Sequence, residues 1–343
     1  MRGKDIEGSW KACATVISAL LWSCSAPPVR PVEAPGKGKR DRLYFVQFHH
    51  PGSEHVPDLP DERSWNTDPH RRKFMKIAAR RVTPDGGAIA GDVVAWGEWE
   101  PPSKVLSKLA PEQRDEPETL FRPVFRPFFE NDPPLMNTDP FVYGGSFLYG
   151  NCKQNSRYGP TEMQRLLPGS VILFGSNRGG DHFVLDTVLV VRDFVAYDSD
   201  NFREALSDRV PPQYFDVTLF PITYEASVRT PGQKSVYRLY FGATHEKPVS
   251  GMFSFFPCKP YEPDDTRGFA RPTIRIPGVV DDKLNTWQRM NPQPDAEHVQ
   301  ALWEDVVTQV RDQGLDLCVY ADIPEAESTG AGAAATTANG EGR

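Results

Sequence analysis

The residues best suited to chemistry are aromatic rings beside a carboxylate. The segment WGEWEP sets Trp96 and Trp99 around Glu98, and Tyr149 and Tyr158 follow further along the chain. On a strand, alternation places Trp96 and Glu98 on one face and Trp99 on the other. Such rings could stack on a flipped or modified base while Glu98 accepts a hydrogen bond from an exocyclic amine. The alternative is that the tryptophans belong to the hydrophobic core.

Cationic side chains are concentrated just upstream of these rings. Asp68 followed by Pro69 predicts the start of a helix, with Asp68 as its N-cap. The helix would continue through HRRKFMKIAARRV and carry six cations: Arg71, Arg72, Lys73, Lys76, Arg80 and Arg81. On an acidic protein, such a cluster could contact phosphate groups. The alternative is a solvated helix face whose charge is balanced by nearby acidic residues.

A thiol site is the third candidate. Cys152 stands in GNCKQ, His182 opens an apolar strand, and Asp186 follows in the same strand. This order, with PGSVILF in between, loosely resembles cell-wall thiol hydrolases. The resemblance implies that Cys152 is a nucleophile activated by His182. The alternative is an ordinary buried or capping cysteine.

Histidines form the fourth candidate. His49, His50 and His55 fall with Asp58 in one short loop, and imidazoles with a carboxylate could hold zinc or iron. Their spacing matches no common metal motif, so a hydrogen-bonding scaffold or a phosphate contact is favoured. We therefore expect neither a metal nor another cofactor.

The elements that would position these residues centre on one hairpin. Val171–Phe174 and Phe183–Val191 are apolar runs separated by Gly, Asn and Asp, which predicts two paired strands. Because both runs are almost continuously apolar, we expect them near the middle of a sheet. Further strands are predicted at 43–48, 93–99, 217–224 and 236–241, with weaker candidates at 252–257 and 272–276 and an edge strand at 317–320.

Two helices are predicted from capping residues. Thr161 begins a capping box for one short helix. Asp295 caps an amphipathic helix in which apolar residues recur at helical spacing: Val299, Leu302, Trp303, Val306, Val307 and Val310.

Composition narrows the class of protein. The chain has 343 residues, a net charge of -7 and 39% hydrophobic residues. The acidic balance excludes a globally basic nucleic-acid binder, so any such role needs a local patch. Five widely spaced cysteines without a CxxC pair argue against a disulfide framework and favour a cytoplasmic location. The apolar run 12–22 is too short to span a bilayer, so no membrane partner is expected.

The predicted domain organisation is simple. Residues 1–41 are expected to form a disordered leader or linker, with a signal peptide as the alternative. A single β-rich domain should span 42–323, with a Pro-rich insertion at 104–140 whose aromatic residues could dock a protein partner. Residues 324–343 have the composition of a disordered tail.

The segments GDVVAWG and PGSVILFG share one pattern: a turn, a short apolar strand and a glycine. Together with the early helix and the basic patch, this pattern resembles that of the PUA-like barrels, including the EVE and ASCH groups, and of domains associated with nucleotide modification in bacteria. The resemblance covers 43–103 and 141–193. It implies an α+β fold with a barrel core and an aromatic cleft that reads a base or a modified nucleotide.

The leading hypothesis is therefore binding of nucleic acid or a modified nucleotide through an aromatic cleft flanked by the basic helix. A Cys–His hydrolase using Cys152 and His182, and a protein-interaction scaffold using 104–140, are the alternatives.

Overall fold

The structure is a computed structural model. It describes residues 41–50, 72–113, 115–127, 137–178, 182–221, 223, 235–282 and 288–326. All of these residues belong to one compact unit, Ala34–Arg343. His55, Arg71, nearly all of the predicted leader and most of the predicted tail lie outside the described residues.

The described residues are rich in strands. In chain order these are β1 (Tyr44–His50), β2 (Lys73–Val82), β3 (Ala88–Gly97), β4 (Ser103–Lys108), β5 (Thr119–Pro123), β6 (Leu148–Tyr149), β7 (Asn155–Ser156), β8 (Gly159–Pro160), β9 (Val171–Arg178), β10 (His182–Tyr197), β11 (Tyr237–Gly242), β12 (Phe256–Pro260), β13 (Gln288–Pro292) and β14 (Asp316–Ala321). The helices are α1 (Phe202–Leu206), α2 (Pro212–Tyr214) and α3 (Ala296–Asp312), with a 3-10 turn at Glu162–Arg165 and a π-helical turn at Phe215–Leu219. None of them combines the length and the apolar character needed to cross a bilayer.

Two six-stranded sheets form the body of the fold. The first has the strand order β13-β1-β9-β10-β11-β6, in which only β1 and β9 run parallel. The second has the order β14-β12-β3-β2-β5-β4, and β14 also pairs with β2. The strand predicted at 317–320 is present as β14. It is not an edge strand, however, because it has a partner on each side. The β-rich α+β class is confirmed, and the PUA-like barrel stays a prediction.

The central hairpin is confirmed. Strands β9 and β10 pair antiparallel in the middle of the first sheet, and each face of the sheet is covered. Ile172 and Phe174 enter the core shared with the second sheet, whereas Val171 and Leu173 enter the core beneath α3. Burial on both faces explains why the sequence of these strands is almost continuously apolar.

The prediction of a basic helix at 69–81 is wrong. Residues 73–82 form β2, which pairs with β3 along its whole length and with β5 and β14. Successive side chains of a strand point to opposite faces, and the burial of β2 follows this rule. Met75, Ile77 and Ala79 enter one core, and Phe74 and Val82 enter the other. Pairing in the interior of a sheet outweighs the helix propensity of Lys, Met, Ala and Arg.

Two further predictions are corrected. Part of the expected strand at 217–224 lies in the π-helical turn at 215–219. The expected insertion at 104–140 contains most of β4 and all of β5, so that part of it belongs to the second sheet. Residues 128–136 of this segment lie outside the described residues.

The capping of α3 by Asp295 is confirmed and gives a first test. The Asp295 carboxylate accepts a hydrogen bond from the backbone N–H of His298 at 2.9 Å, and this bond lowers its pKa. Asp295→Ala should lower the free energy of unfolding by about 1 kcal/mol because one helix donor loses its acceptor. Asp312→Ala, in the last turn, is the control and should be neutral or slightly stabilising. Equal effects of both changes in urea unfolding would contradict a capping role.

Candidate functional site

A cavity lies where the two sheets face each other. Four aromatic residues contribute to its wall, namely Trp96, Tyr143, Phe174 and Phe256. Three charged side chains, Arg72, Glu98 and Asp186, line it as well. The enclosed cavity has a volume of about 10 Å³, and the open mouth brings the space free of atoms to about 370 Å³. The interior therefore accepts one group of about the size of a water or an amine.

A β-bulge brings Asp186 to this cavity. In the register of β10 against β9, Leu185 lies opposite Gly175 and Thr187 opposite Phe174, which leaves Asp186 as the extra residue. Gly175 is required there, because a Cβ atom would approach the carbonyl oxygen of Val184 to 2.1 Å. Bulges of this kind redirect a side chain and are frequent beside functional sites.

Two arginines hold the Asp186 carboxylate. Arg72 Nε donates to Asp186 Oδ2 at 2.8 Å, and Arg271 Nη1 lies 2.9 Å from Asp186 Oδ1. All three side chains are nearly fully buried. Burial by itself would raise the pKa of Asp186, but Arg271 and Arg72 outweigh it and lower that pKa. Asp186 therefore remains ionised inside the protein.

Two glutamates complete the charged cluster. Arg72 Nη1 lies 3.4 Å from Glu98 Oε2. Glu100, two residues further along the chain, is buried as well. Thr138 Oγ1 also donates to Glu100 Oε2, at 2.5 Å. Burial raises the pKa of Glu100 to about 7, although its hydrogen bonds with Glu98 and Thr138 and the charge of Arg72 oppose the rise. A carboxyl group that titrates near neutrality beside a cavity is typical of functional sites.

The aromatic cleft predicted from the sequence is not an open surface. Trp96 donates its indole N–H to the carbonyl of Phe269 at 2.7 Å, and the Trp99 indole donates to that of Pro102. Trp96, Trp99 and Tyr149 are at most 5% exposed. Only Tyr158 is open to solvent, and it lies away from them in the β7–β8 hairpin. Trp96 and Glu98 both line the cavity, together with Gly97 between them.

The cations that were predicted to form one surface differ in burial and in their partners. Arg72 and Lys73 are buried, and Lys73 Nζ donates to the carbonyl of Pro101 and to Ser103 Oγ. Lys76 pairs with Asp92 at 2.8 Å, and Arg80 pairs with Glu246 at 2.6 Å. Because two of these cations are buried and the other two are paired with acidic side chains, the four do not form one phosphate-binding face.

Cys152 lies in a turn that is held by hydrogen bonds to the Asp139 carboxylate. Asp139 accepts from the backbone N–H groups of Gly150, Asn151 and Cys152, each at 2.8 Å. Asn137 Nδ2 donates to Cys152 Sγ at 3.5 Å. Burial, with Asp139 and Glu98 nearby, raises the pKa of the Cys152 thiol well above its ordinary value. These contacts favour a neutral, structural thiol.

His182 takes no part in that turn. It pairs with Arg178 where β9 and β10 meet, and no hydrogen bond joins it to Cys152 among the residues described above. Asp186, the third residue of the predicted thiol site, is held by the two arginines. The contacts described for Cys152, His182 and Asp186 are with other residues, so the hydrolase hypothesis gains no support from them.

The predicted histidine loop begins as a strand. His49 and His50 end β1, and the ring Nε2 of buried His49 accepts from the backbone N–H of Asn177 at 2.8 Å. Within the described ranges, no group of three or more His, Cys, Asp or Glu side chains is arranged to hold a metal.

Three residues of the site were missed by the sequence analysis: Glu100, Thr138 and Arg271. Glu100 could have been found, because it lies in the same WGEWEP segment as the two tryptophans and Glu98. Thr138 and Arg271 carry no signal of this kind, since they reach the site from connections distant in sequence.

Comparison of the chain with protein-family models, curated proteins and solved structures gave no match.

Proposed function

We propose that the chain binds a nucleobase, either free, in a nucleotide or flipped out of a nucleic acid, at the cavity between its two sheets. One observation carries this proposal. Aromatic side chains and a small set of convergent charged groups, Arg72, Glu98 and Asp186, line the same cavity. Such a combination is typical of ligand sites, where apolar walls bury a ring and a few polar groups orient it.

The size of the cavity determines how a base would enter. Its interior has room for a group the size of an amine, whereas a whole ring needs the mouth as well. We therefore expect an exocyclic amine or a ring nitrogen to enter first and to meet the Glu98 carboxyl. The rest of the ring would lie at the mouth.

The charges outside the cavity predict a weak dependence on salt. Lys76 and Arg80 are already paired with Asp92 and Glu246. Contacts with several phosphates would produce a steep loss of affinity with salt, because each contact releases counterions. Recognition of the base itself should contribute most of the binding free energy.

The proposal is tested by titrating the full chain with adenosine, cytidine, guanosine and uridine while following tryptophan fluorescence. Saturable quenching by at least one nucleoside is expected, because Trp96 lies in the cavity wall. Trp96→Phe should weaken binding about three- to tenfold, because the smaller ring covers less of the base, and loss of a whole aromatic contact costs roughly 1–3 kcal/mol. The control is Tyr158→Ala, which removes an exposed ring outside the cavity and should leave the affinity unchanged.

Calorimetric titrations with the same nucleosides and a short single-stranded oligonucleotide, at two salt concentrations, complete the test. Heats that remain at dilution level for every compound would overturn the proposal. Binding that is equal in the wild-type and Trp96→Phe proteins would place the ligand elsewhere.

A further inference from the structure

We infer that Met75 and Gly97 restrict the cavity to one unsubstituted exocyclic amine, so that a base whose amine carries a methyl group is rejected. Adenine and cytosine have such an amine, whereas N6-methyladenine and N4-methylcytosine carry the additional methyl group. This inference rests on the proposed function and adds the chemical class of its ligand.

The enclosed part of the cavity has room for a single small group. Its volume of about 10 Å³ is comparable with the space that one water molecule requires. An amine has one heavy atom and matches this space, whereas a methylamino group has two. The second heavy atom would have to displace a wall of the cavity, and forcing an extra methyl group into a packed interior costs free energy.

The charged wall of the cavity is poorly able to move. Arg72 is held by Asp186, with its Nε 2.8 Å from Asp186 Oδ2, and its Nη1 lies 3.4 Å from Glu98 Oε2. These side chains are buried, so a shift of any one of them would weaken an ion pair that water does not replace. The apolar wall must therefore decide whether a larger group fits.

Met75 is the adaptable part of the apolar wall. Among the described apolar residues that line the cavity, it alone has an unbranched, flexible side chain, since the others are aromatic, β-branched or proline. A methionine of this kind fills an irregular gap between rigid neighbours. Met75 is 1% exposed, and the Tyr143 hydroxyl, also in the cavity wall, donates to its Sδ at 3.9 Å.

Gly97 leaves the space that the end of Met75 requires. A Cβ atom at position 97 would lie 3.0 Å from Met75 Cε, which is closer than ordinary van der Waals contact. The backbone of Gly97 is not in the left-handed region, so its conformation alone does not require glycine. Because both residues line the cavity, we expect a methyl group at 97 to reduce the space available to a ligand.

The test compares each nucleoside with its methylated analogue by calorimetric titration of the full chain. The pairs are adenosine with N6-methyladenosine and cytidine with N4-methylcytidine. In the wild type, the methylated analogues should bind about tenfold or more weakly, the size of the penalty for one extra methyl group in a packed site.

Met75→Ala separates the cavity wall from any intrinsic difference between the analogues. Removal of the thioether enlarges the interior, so the preference for the unmodified nucleosides should fall at least about threefold. Met252→Ala is the matched control. Met252 is as deeply buried as Met75 but packs in the other core, away from the cavity, and its loss should leave the preference unchanged.

Gly97→Ala tests the same wall from the opposite side. It should weaken binding of the unmodified nucleosides, because the added methyl group approaches Met75 Cε. In the Met75→Ala background this loss should be smaller, since the atom that is approached is absent. A loss of the same size in both backgrounds would contradict a shared wall.

The outcomes separate the two proposals. If no nucleoside binds the wild type, the proposed function and the inference both fail. If methylated and unmodified nucleosides bind equally, the site stands and the inference is overturned. A preference that changes equally in Met75→Ala and Met252→Ala also overturns it. If Met75→Ala does not fold, the wild-type preference and the effect of Gly97→Ala decide.

Discussion

Arg72→Ala should lower the free energy of unfolding by about 3–5 kcal/mol, the range for removing one partner of a buried ion pair. Arg72 is 1% exposed and contacts both Asp186 and Glu98. Its removal would leave two buried carboxyls with less compensating charge, and Arg271 contacts only Asp186 of the two. Urea unfolding followed by circular dichroism measures the change.

Lys76→Ala is the matched control for Arg72→Ala. Lys76 lies in β2, four residues after Arg72, and pairs with Asp92, but both side chains are partly exposed, at 28% and 45%. Water screens such a pair, so the control should lose less than about 1 kcal/mol. Similar losses for the two variants would show that the buried cluster is not the stabilising feature inferred from its distances.

A double-mutant cycle sharpens this result. Arg72→Ala combined with Asp186→Ala should cost less than the sum of the two single changes, because the double variant leaves no uncompensated charge between these two positions. Arg72→Lys should recover part of the stability only, since an ammonium group cannot donate to two carboxyls with the fixed geometry of a guanidinium.

Stability should fall as the pH rises through neutrality, and Glu100 is the cause. Its pKa is about 7 in the folded protein, above the ordinary value of 4.5, so the folded state holds the proton more tightly than the unfolded state. The stabilising contribution is fully present below about pH 4.5 and is lost as the pH rises through about 7. A shift of this size corresponds to at most about 3 kcal/mol.

The measurement is the free energy of unfolding in urea between about pH 5 and about pH 8, for the wild type and for Glu100→Gln. The wild type should become less stable across this interval, whereas the variant, which has no proton to lose at this position, should show a much flatter profile. Glu112→Gln, which alters an exposed ion pair with Arg267, is the control and should follow the wild type. A wild-type profile that is flat or rises with pH would contradict the raised pKa of Glu100.

Much of the fold could be read from the sequence because burial leaves local patterns. The continuous apolar runs of β9 and β10 predicted a central hairpin, and both strands are indeed covered on two faces. Asp295 and the helical spacing that follows it predicted α3. In both cases, the residues that define the element are neighbours in the chain.

The strand β2 shows where this reasoning fails. Its sequence, KFMKIAARRV, combines good helix formers with apolar residues that fit either a helix or a strand over so short a length. Its conformation depends on β3, β5 and β14, and β14 lies more than 200 residues away in the chain. No local pattern carries the pairing with a partner that distant, so propensity and capping alone gave the wrong element.

The sequence by itself determined the β-rich class, the central hairpin and the C-terminal helix. These features depend on periodicity, which is a property of consecutive residues. Only the tertiary structure decided that Arg72 and Asp186, 114 positions apart, form a buried pair, and that Arg271 and Thr138 complete the cluster. The physical reason is that burial of a charge, unlike burial of an apolar residue, depends on compensating groups that any part of the chain can supply.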